Sequence, residues 1–271
     1  MTIAPRQPNL TKSTPTRVPT LTLVLDPGTS CIKTIYCKGR RGQPKYQIDT
    51  SLVCPTSSPS AGESYIKLPH EQQYYLVGRS ASFSKLSISI KQLKSESIIP
   101  KILGVIGKVA KRESLPEQFN LRMHLLLPIS EINDREYIES DLVQALASFN
   151  YSGIEYKVKT TMFVAPEGRG VYSYISRFNL SNLLENEVSS CLMFGYRNTS
   201  LLLFESGCFN LKSSHSTDLG FYNYLDLVAH YSSGLYRDDI QKAIVTEPSY
   251  GSDHNCRQVI TGFTSHIRIE D

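Results

Sequence analysis

The chain has 271 residues and a mass of 30.4 kDa, with 40% hydrophobic and 20% charged residues. That length suits one large or two small domains, and the composition is that of a folded globular protein. Lys and Arg exceed Asp and Glu by only four, 29 against 25, which excludes a grip on nucleic acid by charge alone. No apolar run approaches the ~18 residues of a membrane span, so no membrane partner is expected. The six cysteines, Cys31, Cys37, Cys54, Cys191, Cys208 and Cys256, form no CxxC pair and no zinc-like spacing. Several lie in apolar runs, where cysteine is a small core residue, and a reducing, cytoplasmic location is expected. The histidines are scattered and form no metal spacing either.

Residues 1–20 carry Arg6, Lys12 and Arg17, four prolines and no acid, and read as a disordered basic tail. LTLVLD (21–26) predicts a buried strand that ends at Pro27-Gly28. CIKTIYCK (31–38) and KYQIDTSLVC (45–54) complete a three-strand meander, and YYLVG (74–78) adds a short strand. Ile98, Ile99, Ile102, Leu103, Ile106 and Val109 recur at helical spacing and predict a helix over 98–112. Lys101, Lys108, Lys111 and Arg112 read as its solvated face. NLRMHLLLP (120–128) predicts a strand. A helix follows, opened by a capping box of Asn133 and Glu136, with Ile138, Leu142, Ala145, Leu146 and Phe149 on its apolar face. IEYKVKTTMFVAPE (154–167) predicts another strand, and 168–178 a short helix.

The opening theme then returns. SSCLMFGYR (189–197), TSLLLFESG (199–207) and CFNLKSS (208–214) form a second meander, and Leu219 to His230 a helix. Residues 237–245 read as one more helix. The division expected is a first domain over 21–185 and a partial second over 186–271. An incomplete second copy leaves apolar positions uncovered, and Leu219, Leu225, Val228 and the strand at 201–204 are the ones expected to be exposed.

Three segments suggest chemistry. In Asp26-Pro-Gly28-Thr29-Ser30-Cys31-Ile-Lys33, a strand-end carboxylate suits a hydrated Mg²⁺, and the Gly-bearing turn suits phosphate oxygens. From the tetrad alone, an ordinary hairpin turn with a surface lysine is the favoured reading. Gly195-Tyr-Arg-Asn198-Thr199-Ser occupies the matching place in the second copy, so the two turns together suggest a polyphosphate clamp. Glu167, at a strand end before Gly168, suits orienting a water at a γ-phosphate, or capping the next helix.

These three motifs, on two βββαβα-type copies, resemble the actin-like ATPase superfamily. DPGTSCIK, LLLPISEINDREYIESDLVQAL, VAPEGRGVYSY and GYRNTSLLLFESG are most similar to the bacterial plasmid-segregation actins of ParM/StbA type, and the similarity runs from about Leu21 to about residue 245. The resemblance implies an α/β, ribonuclease H-like fold with an incomplete second copy. It also implies an ATP or GTP site with Mg²⁺ and nucleotide-driven filament assembly in plasmid partition, with a DNA-binding adaptor protein as the further partner. Carried over, Asp26 holds the Mg²⁺ shell through water, and Gly28, Thr29 and Ser30 bind phosphates. Lys33 contacts the β/γ-phosphates, Glu167 positions the attacking water, and Gly195, Asn198 and Thr199 form the second phosphate loop.

Two departures stand out. The family's second loop opens with an Asp two residues before its glycine; Met193 stands there and offers no hard oxygen ligand. Nor does a Gly-rich adenosine motif follow Gly234, where Gly251 and Gly262 are isolated. The alternative these departures imply is an actin-fold interaction protein, or a truncated remnant, without nucleotide chemistry. Small-molecule kinases share the fold, but no sugar-site motif is visible.

Overall fold

Alternation along β1 (Thr20–Pro27) sends Leu21, Leu23 and Leu25 to one side, all fully buried, and leaves Thr22, Val24 and Asp26 half-buried on the other. The computed structural model describes residues 18–39, 41–83, 97–170, 188–206, 208–231 and Tyr236. Antiparallel β2 (Cys31–Lys38) and β3 (Lys45–Thr50) complete the first meander.

The single strand expected over 45–54 is two. The chain breaks at Ser51-Leu52, and β4 (Val53–Thr56) pairs with β6 (Tyr74–Val77) instead of continuing along β2. Ser51 holds this corner, donating its N–H to the Ser30 carbonyl (3.4 Å) and its hydroxyl to the Gly28 carbonyl (2.6 Å). Between them β5 (Tyr65–Lys67) adds to β6, and a short 3-10 segment, Gly78–Phe83, follows.

Helix α1 (Ile98–Arg112) has the expected bounds and buries Ile102, Leu103, Ile106 and Val109. Its charged residues are not merely solvated. Lys108 pairs with buried Asp49, and Arg112 donates to Gln47 (2.8 Å) and Tyr36 (3.3 Å), tying the helix to β2 and β3. Glu113 receives Lys45 at 2.7 Å, and that hydrogen bond holds its carboxyl below the usual range. β7 (Gln118–Leu127) then runs parallel to β1.

The capping box does not form. Ile129–Asp134 is a 3-10 turn, so α2 (Arg135–Ala147) starts after Asp134, and no side chain caps it. Ile138, Leu142 and Leu146 face the core as expected, whereas Phe149 belongs to the next strand, β8 (Phe149–Tyr151). β9 (Ile154–Pro166) pairs with β8 in antiparallel fashion and with β7 in parallel. The resulting sheet has nine strands in the order β3-β2-β1-β7-β9-β8-β5-β6-β4. α1 and α2 share one cluster with the inner side chains of β1 and β7. On the opposite face Ile35, Tyr46 and Phe163 are exposed, and Phe163 stacks on His124.

The second meander, β10 (Val188–Phe194), β11 (Thr199–Glu205) and β12 (Cys208–Thr217), forms a separate three-stranded antiparallel sheet, followed by α3 (Phe221–Tyr231). The exposure expected here is corrected in part. Leu225 and Val228 are buried, packed with Tyr196 and Phe221, while Leu219 is 67% exposed. In β11, Leu202 and Phe204 are buried and Leu201 is exposed; the larger uncovered apolar positions are Val188, Leu192 and Phe194 of β10. The tail over 1–17, most of the helix expected over 168–178 and the one over 237–245 lie outside the described residues. The described cysteines are free thiols, and no described helix is long and apolar enough to cross a membrane.

The end of α1 generates a direct test. Leu115 N–H bonds to Ala110 and Ser114 N–H to Lys111, with Ser114 in the left-handed region at φ 48°. Such a terminus favours glycine, because a Cβ costs energy at positive φ. Ser114→Gly should stabilise the chain by up to about 1 kcal/mol, net of the added freedom of the unfolded chain, in urea unfolding. An unchanged or lower midpoint would refute that account.

Candidate functional site

β1, β7 and β9 are parallel, so their carboxyl ends lie along one edge of the sheet. Ligand sites of open α/β sheets lie at such edges. Asp26 ends β1, and Glu167 follows β9 and donates its N–H to the Leu127 carbonyl at the end of β7 (2.8 Å). Two strand spacings, on the order of 10 Å, therefore separate the backbones that carry the two acids. Glu167 is buried.

Gly28, Thr29 and Ser30 form the tight turn between β1 and β2. A side chain at Gly28 would meet the Cys31 carbonyl oxygen at 2.5 Å, so the turn itself demands glycine, whatever it binds. Asp26 and Lys33 are cross-strand partners on the sheet face opposite α1, and Lys33 Nζ lies 3.4 Å from Asp26 Oδ2. Lys33 is more than half exposed, so this pair contributes little to stability; it keeps a cation beside the turn.

The second turn repeats this geometry with different chemistry. Met193 pairs with Ser200 across β10 and β11, as Asp26 pairs with Lys33 across β1 and β2. Gly195 N–H donates to the Asn198 carbonyl (2.8 Å), so it closes its own turn. Asn198 is buried, and the Thr199 hydroxyl donates to the Leu219 carbonyl at 2.5 Å. Phe221 and Tyr222, at the start of α3, donate their N–H groups back to the carbonyls of Gly195 and Tyr196 (3.0 and 2.8 Å). The turn is thus braced by the helix that follows it.

Among the described residues, two of the links between the halves are ones that sequence reasoning does not identify. Gly168, at φ 82°, packs so closely on the second sheet that a Cβ would lie 2.0 Å from Leu202 Cδ1 and 2.6 Å from Met193 Sδ. Arg197, inside the second turn, approaches Glu131 in the 3-10 turn after β7, with Nη1 3.6 Å from Oε1. Glu167, Met193 and the second turn are therefore neighbours through Gly168 and Glu131. The one available signal is an acid, Glu131, set between Ile129 and Ile132 where the chain leaves the buried strand β7.

The donors suit a hydrated Mg²⁺ on one side only. Asp26 supplies a hard oxygen; Met193 supplies a thioether, which a hard cation does not take. No described group of three or more His, Cys, Asp or Glu side chains forms a metal cluster.

The chain has the actin-like fold. Among solved structures, it is similar to the actin-like protein Alp7A, at 12% identity and a TM-score of 0.64, over 90% of this chain and 76% of that one. It also resembles the apo ParM protein of pSK41, at 14% identity and a TM-score of 0.58, over 91% and 78% of the two chains. A third likeness is to AlfA of the B. subtilis plasmid pLS32 in its filament, at 15% identity and a TM-score of 0.56, over 78% of each chain. No protein-family model and no curated protein sequence matches the chain.

Gly168 carries the prediction here. Gly168→Ala adds a methyl group at positive φ against Leu202 and Met193, and should cost about 2–4 kcal/mol in thermal or urea unfolding. A loss under about 0.5 kcal/mol, the scale of an ordinary surface change, would show that the halves are not in this close contact.

Proposed function

We propose that the chain is a nucleotide-binding protein of ParM type, in which ATP or GTP with Mg²⁺ governs assembly of its copies into filaments for DNA segregation. What supports this reading is that the first glycine turn and the buried Glu167 both leave the edge where β1, β7 and β9 end, and that the second sheet approaches that edge through Met193 at Gly168 and Arg197 at Glu131. In this reading Asp26 holds a hydrated Mg²⁺, and Gly28, Thr29, Ser30 and Lys33 bind phosphates. Gly195, Asn198 and Thr199 form the second loop, and Glu167 orients the attacking water. The domains are 21–185 and 186–271, and the protein acts in the cytoplasm with a DNA-binding adaptor. Likeness to an archaeal actin homolog solved with ADP, at 14% identity and a TM-score of 0.59, supports the nucleotide, and the AlfA filament supports self-association.

Calorimetry with Mg-ATP and Mg-GTP, and light scattering with and without each, test the reading. Binding accompanied by nucleotide-dependent scattering is expected; no heat and no change in scattering would overturn it. Glu167→Ala should slow hydrolysis by ~10²-fold or more while leaving nucleotide affinity nearly unchanged. An equal loss of affinity would assign Glu167 to structure.

The position of Met193 against Gly168 favours one second reading, an actin-fold interaction protein without metal chemistry. Met193→Asp separates the two. Under the first reading the new carboxylate costs about 1–3 kcal/mol in chelator and Mg-ATP restores the stability. Destabilisation that Mg-ATP does not relieve favours the second.

A further inference from the structure

The glycine contact between the halves, Gly168 against Leu202 and Met193, is apolar, and apolar packing is non-directional. Position needs a directional bond. The ion pair between Arg197 and Glu131 supplies one, and both groups are withdrawn from water, with side chains 13% and 4% exposed. A buried pair is weak evidence for stability, since desolvation offsets much of its attraction; its better-attested use is to fix register.

Each end of the pair is anchored. Glu131 lies in the 3-10 turn that Pro128 opens, its N–H bonded to the Pro128 carbonyl (3.0 Å), and its neighbour Ile132 is buried in the main core. On the other side, a Cβ on Gly220 would lie 2.3 Å from the carbonyl carbon of Arg197, so the start of α3 presses directly on the Arg197 backbone. Arg197 also reaches Asp218 (3.3 Å), but Asp218 is 85% exposed and that contact is a screened surface pair.

Comparison of the two meanders adds the chemistry. The first turn has its own acid and base, Asp26 and Lys33, paired seven residues apart across one hairpin. At the same cross-strand positions the second has Met193 and Ser200. Its charged residue is Arg197, and the buried carboxylate Arg197 meets comes from the other half of the chain. We infer that Glu131 is a positioning residue for the second glycine turn: through Arg197 it sets where Gly195, Asn198 and Thr199 stand relative to the end of β7. Its value to a bound polyphosphate rests on the function proposed above; its effect on the turn does not.

Amide hydrogen exchange on the full chain, without nucleotide, is the test. The amides of Gly195, Phe221 and Tyr222 bond within the braced turn and report its integrity. In Glu131→Gln these amides should exchange at least tenfold faster, while those of β7 keep wild-type rates. Arg197→Lys, which keeps the charge and loses the planar fork, should give a smaller rise at the same amides. Wild-type rates at all three amides in Glu131→Gln would overturn the inference, and so would a uniform rise through β7, which marks general destabilisation. If Glu131→Gln does not fold, Arg197→Lys decides on the same amides. Calorimetry with Mg-ATP forms a separate arm. Absence of heat with the wild type would overturn the proposed function and leave the exchange result standing. Binding that Glu131→Gln weakens tenfold would extend the positioning role to the ligand.

Discussion

The rest of the structure depends on the parallel alignment of β1, β7 and β9. Parallel neighbours cannot be joined by a tight turn, so each connection must leave the sheet and return through a crossover. α1 and α2 make those returns, and their apolar faces and the inner side chains of the strands form one core. Because the strands point the same way, their carboxyl ends emerge together, and every candidate group of the first half leaves from that edge. Asp26, Glu131 and Glu167 are far apart in sequence and leave the same edge of the sheet for that reason. Reversing any one strand would send its acid to the opposite edge.

The two meanders show how one backbone pattern can hold different chemistry. Both pair antiparallel strands through a short turn with glycine two residues after a cross-strand position. In the first, that position is Asp26 with Lys33 opposite, and the pair sits on the face away from α1. In the second it is Met193 with Ser200, and the same face is pressed against Gly168. A carboxylate at 193 would be partly desolvated by that contact, whereas a thioether fills the irregular gap without needing a partner. The second turn is accordingly organised by neutral hydrogen bonds and by α3, with its charge at Arg197.

Much of this was legible in the sequence where local periodicity governs. β1, β2, β7, β9 and the second meander follow from alternation and turn residues, and α1 from Ile and Leu at helical spacing. What was not legible is decided by contacts made far along the chain. KYQIDTSLVC has strand character throughout, but Ser51 bonds to the first turn and diverts Val53 to β6. Asn133 and Glu136 have capping spacing, yet the 3-10 turn before Arg135 takes their place. β5 and β8, three residues each, are too short to show a period, and Phe149 belongs to one of them. Leu225 and Val228 are covered through their contacts with Tyr196 and Phe221, which helical spacing alone does not reveal. For the site, the glycine turns and Glu167 are visible as motifs. The Glu131–Arg197 pair carries no local pattern, because its members lie in turns attached to different sheets.

The place where Arg197 attaches has a mechanical meaning. The share of a load on the second sheet that the ion pair carries passes into the turn after β7, and β7 is an interior strand, flanked by β1 on one side and β9 on the other. Its register runs from Thr20–Asn120 to Leu25–Leu125 on the first side and from Gln118–Lys157 to Leu127–Pro166 on the second. Pulling β7 along its axis therefore shears two ladders at once, so force is shared among many backbone hydrogen bonds loaded together. An attachment at the edge strand β3, bonded on one side to β2, would instead be resisted by a single ladder. The ion pair thus joins the second sheet to the end of an interior strand, a stiffer attachment than an edge strand offers.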